Sequence, residues 1–192
     1  MDQVLYDIQK TLTLMIPEKW ERIDLYASVV DKNDKDIKGE LFFYFMPKSN
    51  FNKEYINCYE IPWEYNIDEM DYLEYINKLY NLIKKLRIIY FNEENKLWSS
   101  ITISIDGKKS TCKFELNYEN LLNTPFTSFE RHVIWRYINL NIIPKIKEEK
   151  NIIEKYTKYI TEYTIPKEFK YTPLKVKPTQ NIVDYGKVRN ID

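Results

Sequence analysis

The sequence of 192 residues predicts an α+β fold, one domain built on an antiparallel sheet of about five strands. Segments with alternating apolar residues are joined mainly by short turns, which favours antiparallel pairing. Segments with apolar residues at helical spacing stand before, between and after those strands. A content of 44% hydrophobic and 16% aromatic residues is typical of a packed core and not of a disordered chain.

The first part of the chain is predicted to form a helix followed by three strands. Apolar residues recur at helical spacing from Leu5 to Met15, and Pro17 ends that helix. An alternating segment indicates a half-buried strand, and an aromatic run indicates a central strand covered on both faces. Pro62 closes the third strand. The predicted segments are a helix over residues 2–15, strands over 23–29, 40–46 and 55–61, and a charged loop over 31–38 ended by Gly39.

The second part is predicted to form a long helix, a hairpin and two further helices. Asp68 is placed to cap the long helix, in which Tyr72, Ile76, Leu79, Ile83, Leu86 and Tyr90 share one face. A turn that starts at Asp106 joins two alternating segments. Thr127 and Glu130 stand at capping-box spacing. The predicted segments are a helix over residues 68–91, strands over 101–105 and 112–118, a helix through about Leu140, and a helix from Pro144 with Ile146, Ile153, Tyr156, Ile160 and Tyr163 on one face.

The predicted order is α-β-β-β-α-β-β-α-α, followed by a C-terminal tail. Pro166, Pro173 and Pro178 interrupt this basic segment, which has no apolar periodicity. We expect it to be extended or disordered unless it docks on something. The sequence therefore predicts one domain over residues 1–163 and a basic, proline-containing tail over residues 164–192.

Several classes of protein are disfavoured by composition. Three glycines are too few for a glycine-rich phosphate loop, and one histidine cannot supply a metal site. Cys58 and Cys112 are too few for a disulfide framework, so both are expected to stay reduced as small core residues. No motif of a nucleophilic enzyme stands beside either cysteine, and His132 lies in a predicted helix, which favours a surface or capping role for it. The N-terminus has no basic or long apolar segment, so we expect a cytoplasmic protein.

The acidic segment, residues 54–74, carries seven carboxylates and no Lys or Arg, although the whole chain has zero net charge. A segment of one sign creates a local field that attracts a basic partner. The four acids in the first turns of the long helix are accounted for by the helix dipole. Glu54, Glu60 and Glu64 lie before that helix and are the acids for which we expect a function.

The C-terminal 49 residues offer a different function, the binding of RNA or DNA. This region holds 11 bases against 7 acids and several aromatic residues, a composition found in proteins that bind single strands. No recognised RNA-binding motif is present, so this alternative is the weaker one.

Five short segments, in the right order, resemble the YezG-like antitoxin (immunity) family. The resemblance covers residues 1–155 approximately, and the tail extends beyond the usual family end. The segments that carry it are Ile16-Pro17-Glu18-Lys19-Trp20-Glu21, Phe42-Phe43-Tyr44, Ile61-Pro62-Trp63-Glu64-Tyr65-Asn66-Ile67, Leu97-Trp98-Ser99-Ser100 and Phe129-Glu130-Arg131-His132-Val133-Ile134-Trp135-Arg136-Tyr137.

The resemblance implies a cytoplasmic antitoxin that neutralises a nuclease toxin exported by a type VII secretion system. It implies an α+β fold, no catalysis, no cofactor, and a protein partner in place of a small-molecule substrate or a membrane. A nuclease is positively charged where it grips phosphate, so a surface lined with carboxylates can occupy that site. Charge would speed association, and aromatic residues would provide lasting affinity. The residues expected to contact the partner are Glu54, Tyr59, Glu60, Trp63, Glu64, Tyr65, Asp68 and Asp71.

Overall fold

The computed structural model describes residues 1–32, 36–48, 54–162 and 167–172. Its helices and antiparallel sheet confirm the α+β class. The elements are α1 (Asp2–Met15), β1 (Trp20–Ser28), β2 (Val30–Lys32), β3 (Asp36–Lys38), β4 (Leu41–Pro47), β5 (Ile56–Asn57), α2 (Ile61–Glu64), α3 (Glu69–Glu94), β6 (Ser100–Asp106), β7 (Thr111–Asn117), α4 (Ser128–Leu140), α5 (Lys147–Glu162) and β8 (Lys167–Thr172).

The main sheet has the strand order β5-β4-β1-β6-β7-β8, and every neighbouring pair is antiparallel. β1 lies in the middle, where Leu25 is opposite Phe43 on one side and Ile103 on the other. Five of these strands lie between residues 20 and 117 and form the predicted sheet. β8 adds a strand beyond β7, and β2 pairs with β3 in a separate small sheet.

The two faces of the sheet are covered by different helices. Leu25, Phe43 and Ile103 lie on one face with at most 1% of each residue exposed, in the same core cluster as the apolar faces of α1 and α3. The opposite face carries Tyr26, Phe42 and Tyr44, on which Trp135 of α4 packs with ring centroids 5.1 to 6.1 Å apart. Alternation along each strand therefore builds two layers of aromatic and aliphatic packing.

Two predicted boundaries are wrong. The strand expected over residues 55–61 ends at Asn57, and Pro62 lies in the first turn of the helix α2 where it was expected to close a strand. Proline suits the first turn of a helix, where its missing N–H has no partner to lose. The charged loop expected over residues 31–38 contains the short strands β2 and β3, whose pairing runs from Val30 opposite Lys38 to Lys32 opposite Asp36.

The helix starts predicted from capping residues are confirmed. Asp68 accepts hydrogen bonds from two backbone N–H groups of α3, and Thr127 and Glu130 form the full capping box of α4. α5 begins at Lys147 and not at Pro144, its buried residue is Ile152, and Ile160 and the preceding Ile146 are exposed, so the predicted apolar face is partly wrong. Tyr163 lies outside the described residues.

The predicted tail lies outside the described residues except for β8. The division of the chain at residue 163 stays a prediction.

Among the helices that the structure describes, none is both long and apolar enough to cross a membrane.

Candidate functional site

The acidic segment follows β4 and runs along the β5 edge of the sheet into α3. β5 pairs with β4 over two residues, Ile56 opposite Phe45 and Asn57 opposite Tyr44. The short helix α2 follows at once, and Asn66 then takes a left-handed conformation with φ of 51°. Asparagine tolerates that conformation better than most residues. The chain can therefore turn between α2 and the cap of α3.

The turn before α2 is fixed to the sheet by backbone and thiol contacts. The N–H of Cys58 donates to the carbonyl of Phe43 at 2.8 Å, and the N–H of Phe43 donates to Cys58 Sγ at 3.4 Å. Ile61 and Pro62 are buried under the same turn. These contacts hold α2 in one position on the edge of the sheet.

Three tyrosines of the acidic segment use their hydroxyl groups as anchors. Tyr55 donates to Asp24 Oδ2 at 3.3 Å, and Tyr59 donates to the carbonyl of Leu41 at 2.8 Å. The hydroxyl of Tyr65 donates to Glu18 Oε1. Burial raises the pKa of Tyr55 and Tyr59 to about 12 and also raises the pKa of Tyr65, so all three stay protonated donors at neutral pH.

Asp24 is a buried carboxylate that receives one of these anchors. Its side chain is 0% exposed and accepts from Arg22 Nε at 2.6 Å and from Ser104 Oγ at 2.6 Å, in addition to Tyr55. A buried charge needs such partners, and here three residues supply them. This buried carboxylate was not predicted, although an aspartate between Ile23 and Leu25 in a strand was the available sequence signal.

The side chains left at the surface of the acidic segment are those that a partner could contact. Trp63 has 84% of its surface exposed, the largest value among the exposed large hydrophobic residues that the structure describes. Glu54, Glu60 and Glu64 are also exposed. Glu60 accepts a hydrogen bond from the backbone N–H of Asn57 at 3.0 Å, which orients its carboxylate on the turn.

The two acids expected from the long helix have different surroundings. Asp68 accepts from the N–H groups of Met70 at 2.9 Å and Asp71 at 3.1 Å, so its carboxylate caps α3. Asp71 is exposed in the first turn of that helix. The structure thus places all eight expected residues along one continuous segment. Their role in binding a partner stays a prediction.

A groove next to this segment adds residues that the sequence analysis did not identify. It measures about 360 Å³ and opens between Tyr59 and Phe129 of α4, which are 53% and 49% exposed. Leu41 and His132 also line it. The predicted capping box located the start of α4, but nothing in the sequence placed Phe129 beside Tyr59.

His132 is half-buried and packs on the sheet, so the surface or capping role expected for it is only partly right. Its ring stacks on Phe42 with centroids 3.9 Å apart, and its Nε2 shares a hydrogen bond of 2.9 Å with the hydroxyl of Tyr44. Burial, together with the positive charge of Arg136, lowers the pKa of His132 to about 4. The ring is therefore neutral at physiological pH and belongs to the packing of α4 on the sheet.

The two cysteines are free and buried, as predicted. Burial raises the pKa of Cys58 to about 12 and that of Cys112 to about 11, so neither forms a thiolate at neutral pH. Across the described ranges, no group of three or more His, Cys, Asp or Glu side chains is arranged to hold a metal ion.

The aromatic residues at the basic end are partly committed to packing. Tyr156 and Tyr159 of α5 contact the ring of Phe126 with centroids 6.0 and 5.2 Å apart. They form part of a second, smaller core cluster, which also holds Val133 and Ile152. These two rings therefore help to hold α5 on the rest of the fold.

Comparison with known proteins matches the chain to immunity proteins. A family model described as "Immunity protein YezG-like" matches residues 1–154. The chain is 30% identical over 155 residues to Immunity protein YezG of Bacillus subtilis (strain 168), which covers 80% of this chain and 97% of that protein. It is 28% identical over 159 residues to Immunity protein YezG of Bacillus spizizenii, which covers 82% and 93%. It is 27% identical over 163 residues to Type VII secretion system protein EsaG of Staphylococcus aureus, which covers 84% and 94%.

Proposed function

Because the chain belongs to the YezG-like family of immunity proteins, we propose that it neutralises a nuclease toxin of a type VII secretion system. It acts in the cytoplasm by forming a stoichiometric complex with the toxin. It needs neither catalysis nor a cofactor for this. The contact surface that we propose is the acidic segment together with the groove between Tyr59 and Phe129.

The observation that carries the choice of surface is the position of Trp63. A tryptophan that is 84% exposed stands on a short helix that Cys58 and Tyr59 tie to β4 and that Tyr65 ties to Glu18, in the loop before β1. Because the backbone around Trp63 is already held in place, little of it needs to become ordered on binding, which limits the entropy lost on association. An exposed tryptophan on a helix that is held in place is the kind of residue that dominates the affinity of protein interfaces.

The charge of the surface supports a basic partner. Glu54, Glu60 and Glu64 are exposed, and the sequence between residues 54 and 74 holds no Lys or Arg. A nuclease binds a polyanion and is therefore basic around its active site. Attraction between the two surfaces raises the rate of encounter, and this effect weakens as salt rises.

The experiment that tests this proposal is charge reversal at the two acids beside Trp63. We expect Glu60→Lys with Glu64→Lys to lower the association rate constant for the cognate nuclease by about tenfold or more at low salt. The measurement is surface plasmon resonance at several salt concentrations, paired with protection of cells that express the toxin.

A matched control places the same two substitutions elsewhere on the surface. Glu93 and Glu154 are exposed acids on α3 and α5, outside the acidic segment. Glu93→Lys with Glu154→Lys changes the net charge equally and should alter the rate much less. If both double variants slow association to the same extent, net charge alone acts and the proposed surface is wrong.

A further inference from the structure

We propose that the outer edge of β7 is a strand-pairing surface, which β8 of the same chain covers and which a second copy pairs with when β8 is displaced. This inference is independent of the toxin-binding surface, which lies at the opposite edge of the sheet, beside β5.

The first observation is the continuous pairing of β8 with β7. Six consecutive residue pairs run antiparallel, from Cys112 opposite Thr172 to Asn117 opposite Lys167. The other side of β7 is paired with β6 over its whole length. β8 therefore supplies the hydrogen-bonding partners for the outer side of β7, which would otherwise be the exposed edge of the sheet.

The second observation is that β8 lies outside the part of the chain that the family shares. The family model matches residues 1–154, and β8 begins at Lys167. The matches to the three relatives already take in 93% to 97% of those proteins. β8 therefore lies beyond the residues of this chain that the family model matches.

The third observation is that the sequence of β7 is complementary to itself. If two copies of β7 pair antiparallel about a two-fold axis at Phe114, Lys113 lies opposite Glu115 of the second copy, and the reverse pair forms as well. The same register sets Cys112 opposite Leu116, so the apolar faces of the two sheets continue each other. Opposite charges across an antiparallel pair stabilise it, whereas like charges oppose it.

Effective concentration determines whether β8 of the same chain or β7 of a second copy pairs with the outer edge of β7. β8 is joined to the domain by a short connection after α5, so its effective concentration at β7 is on the order of millimolar. A second copy at micromolar concentration cannot compete with it. We therefore expect the full chain to be monomeric. The outer edge of β7 should pair with a second copy only when β8 no longer pairs with it.

The test uses the full chain with Phe169→Pro and Lys170→Pro, which remove two backbone N–H groups from β8. Hydrogen exchange in dilute solution should show faster exchange of β7 amides in this variant. Sedimentation velocity at rising concentration should show a dimer that the wild type does not form. The control is Thr179→Pro with Gln180→Pro, which places two prolines beyond β8 and should behave as the wild type. Circular dichroism checks that both variants remain folded.

A charge swap then identifies the register. In the β8 proline variant, Lys113→Glu should abolish the dimer because two glutamates then face each other across the axis. Adding Glu115→Lys to that variant reverses both charges and should restore the dimer. A proline variant that stays monomeric at every concentration overturns the pairing of two copies. A dimer that forms equally well in all charge variants overturns the proposed register. Unchanged exchange rates of the β7 amides in the proline variant overturn the claim that β8 protects β7.

Discussion

At the scale of single residues, the aromatic side chains of the acidic segment divide into anchors and contacts. Tyr55, Tyr59 and Tyr65 each donate a hydroxyl hydrogen bond to another part of the fold. Trp63 projects from the helix that these tyrosines hold, with 84% of its surface exposed. The sequence predicted Tyr59, Trp63 and Tyr65 as one aromatic group, because hydroxyl partners distant in the chain cannot be read from local pattern.

Trp63 provides the sharpest prediction at this scale. We expect Trp63→Ala to weaken binding to the cognate nuclease by about 2 kcal/mol or more, which is roughly thirtyfold in Kd. Dissociation should account for most of the loss, and the free energy of unfolding should change little because the side chain is exposed. Tyr6→Ala, at a residue of α1 that is 54% exposed, is the matched control. Equal binding by the Trp63 variant and the wild type would exclude Trp63 from the interface.

His132 makes a prediction about pH. Its pKa in the folded protein is lowered to about 4, mainly by burial, whereas an unfolded histidine has a pKa of about 6.5. The unfolded chain therefore binds the additional proton first, and stability falls as pH drops from 6.5 towards 4. Arg136 opposes protonation, while Glu40 and Glu149 favour it.

The measurement is urea unfolding of the wild type and of His132→Gln at pH 7 and pH 4.5. Glutamine does not titrate, and all carboxylates are shared by the two proteins, so the difference isolates the histidine. We expect the wild type to lose on the order of 1–2 kcal/mol more than the variant, an amount reduced by the partial exposure of the ring. Parallel losses in both proteins would show that the stacked ring titrates normally.

At the scale of elements, α3 shows how one acid serves the fold while its neighbours remain available to a partner. Asp68 was expected both to cap this helix and to contact the partner, and its carboxylate does accept from the N–H groups of Met70 and Asp71. Capping and dipole chemistry made the start of this helix predictable from sequence. Asp68 therefore has a structural role as a helix cap, which counting the acids of the segment does not reveal.

Two substitutions separate the cap from the charge. We expect Asp68→Ala to lower the free energy of unfolding by about 1 kcal/mol, because the helix loses its cap. Asp68→Asn keeps a capping oxygen and removes the charge, so stability should stay near the wild type. Chemical denaturation measures both. If the asparagine variant binds the toxin much more slowly while remaining stable, the charge of Asp68 also serves recognition.

At the scale of the whole molecule, the sequence predicted the elements whose position depends on interactions between residues close together in the chain. Helical spacing located α1 and α3, alternation located the β6–β7 hairpin, and the capping box located α4. Pro62 was misinterpreted because a proline ends a strand and begins a helix equally well. The groove was not predictable, since Tyr59 and Phe129 come together only after β4 pairs with β1 and α4 packs on the sheet.

Different segments lie against the outer strands at the two ends of the sheet. At one edge, β5 and the turn at Cys58 cover β4 and present α2 to solvent. At the other edge, β8 covers β7 over six residue pairs. β5 pairs with only two residues of β4, whereas β8 pairs along most of β7, so the exposed surface of α2 is what distinguishes the first edge.

The most direct test of the proposed function is a hydrogen-exchange footprint of the complex with the cognate nuclease. We predict that amides from the turn at Cys58 through the first turn of α3 become protected on binding, together with those at the start of α4 around Phe129. Amides of β7 should keep their exchange rates. Protection confined to other parts of the chain, with α2 and the start of α3 unchanged in a fully bound complex, would contradict the central claim that this segment contacts the toxin.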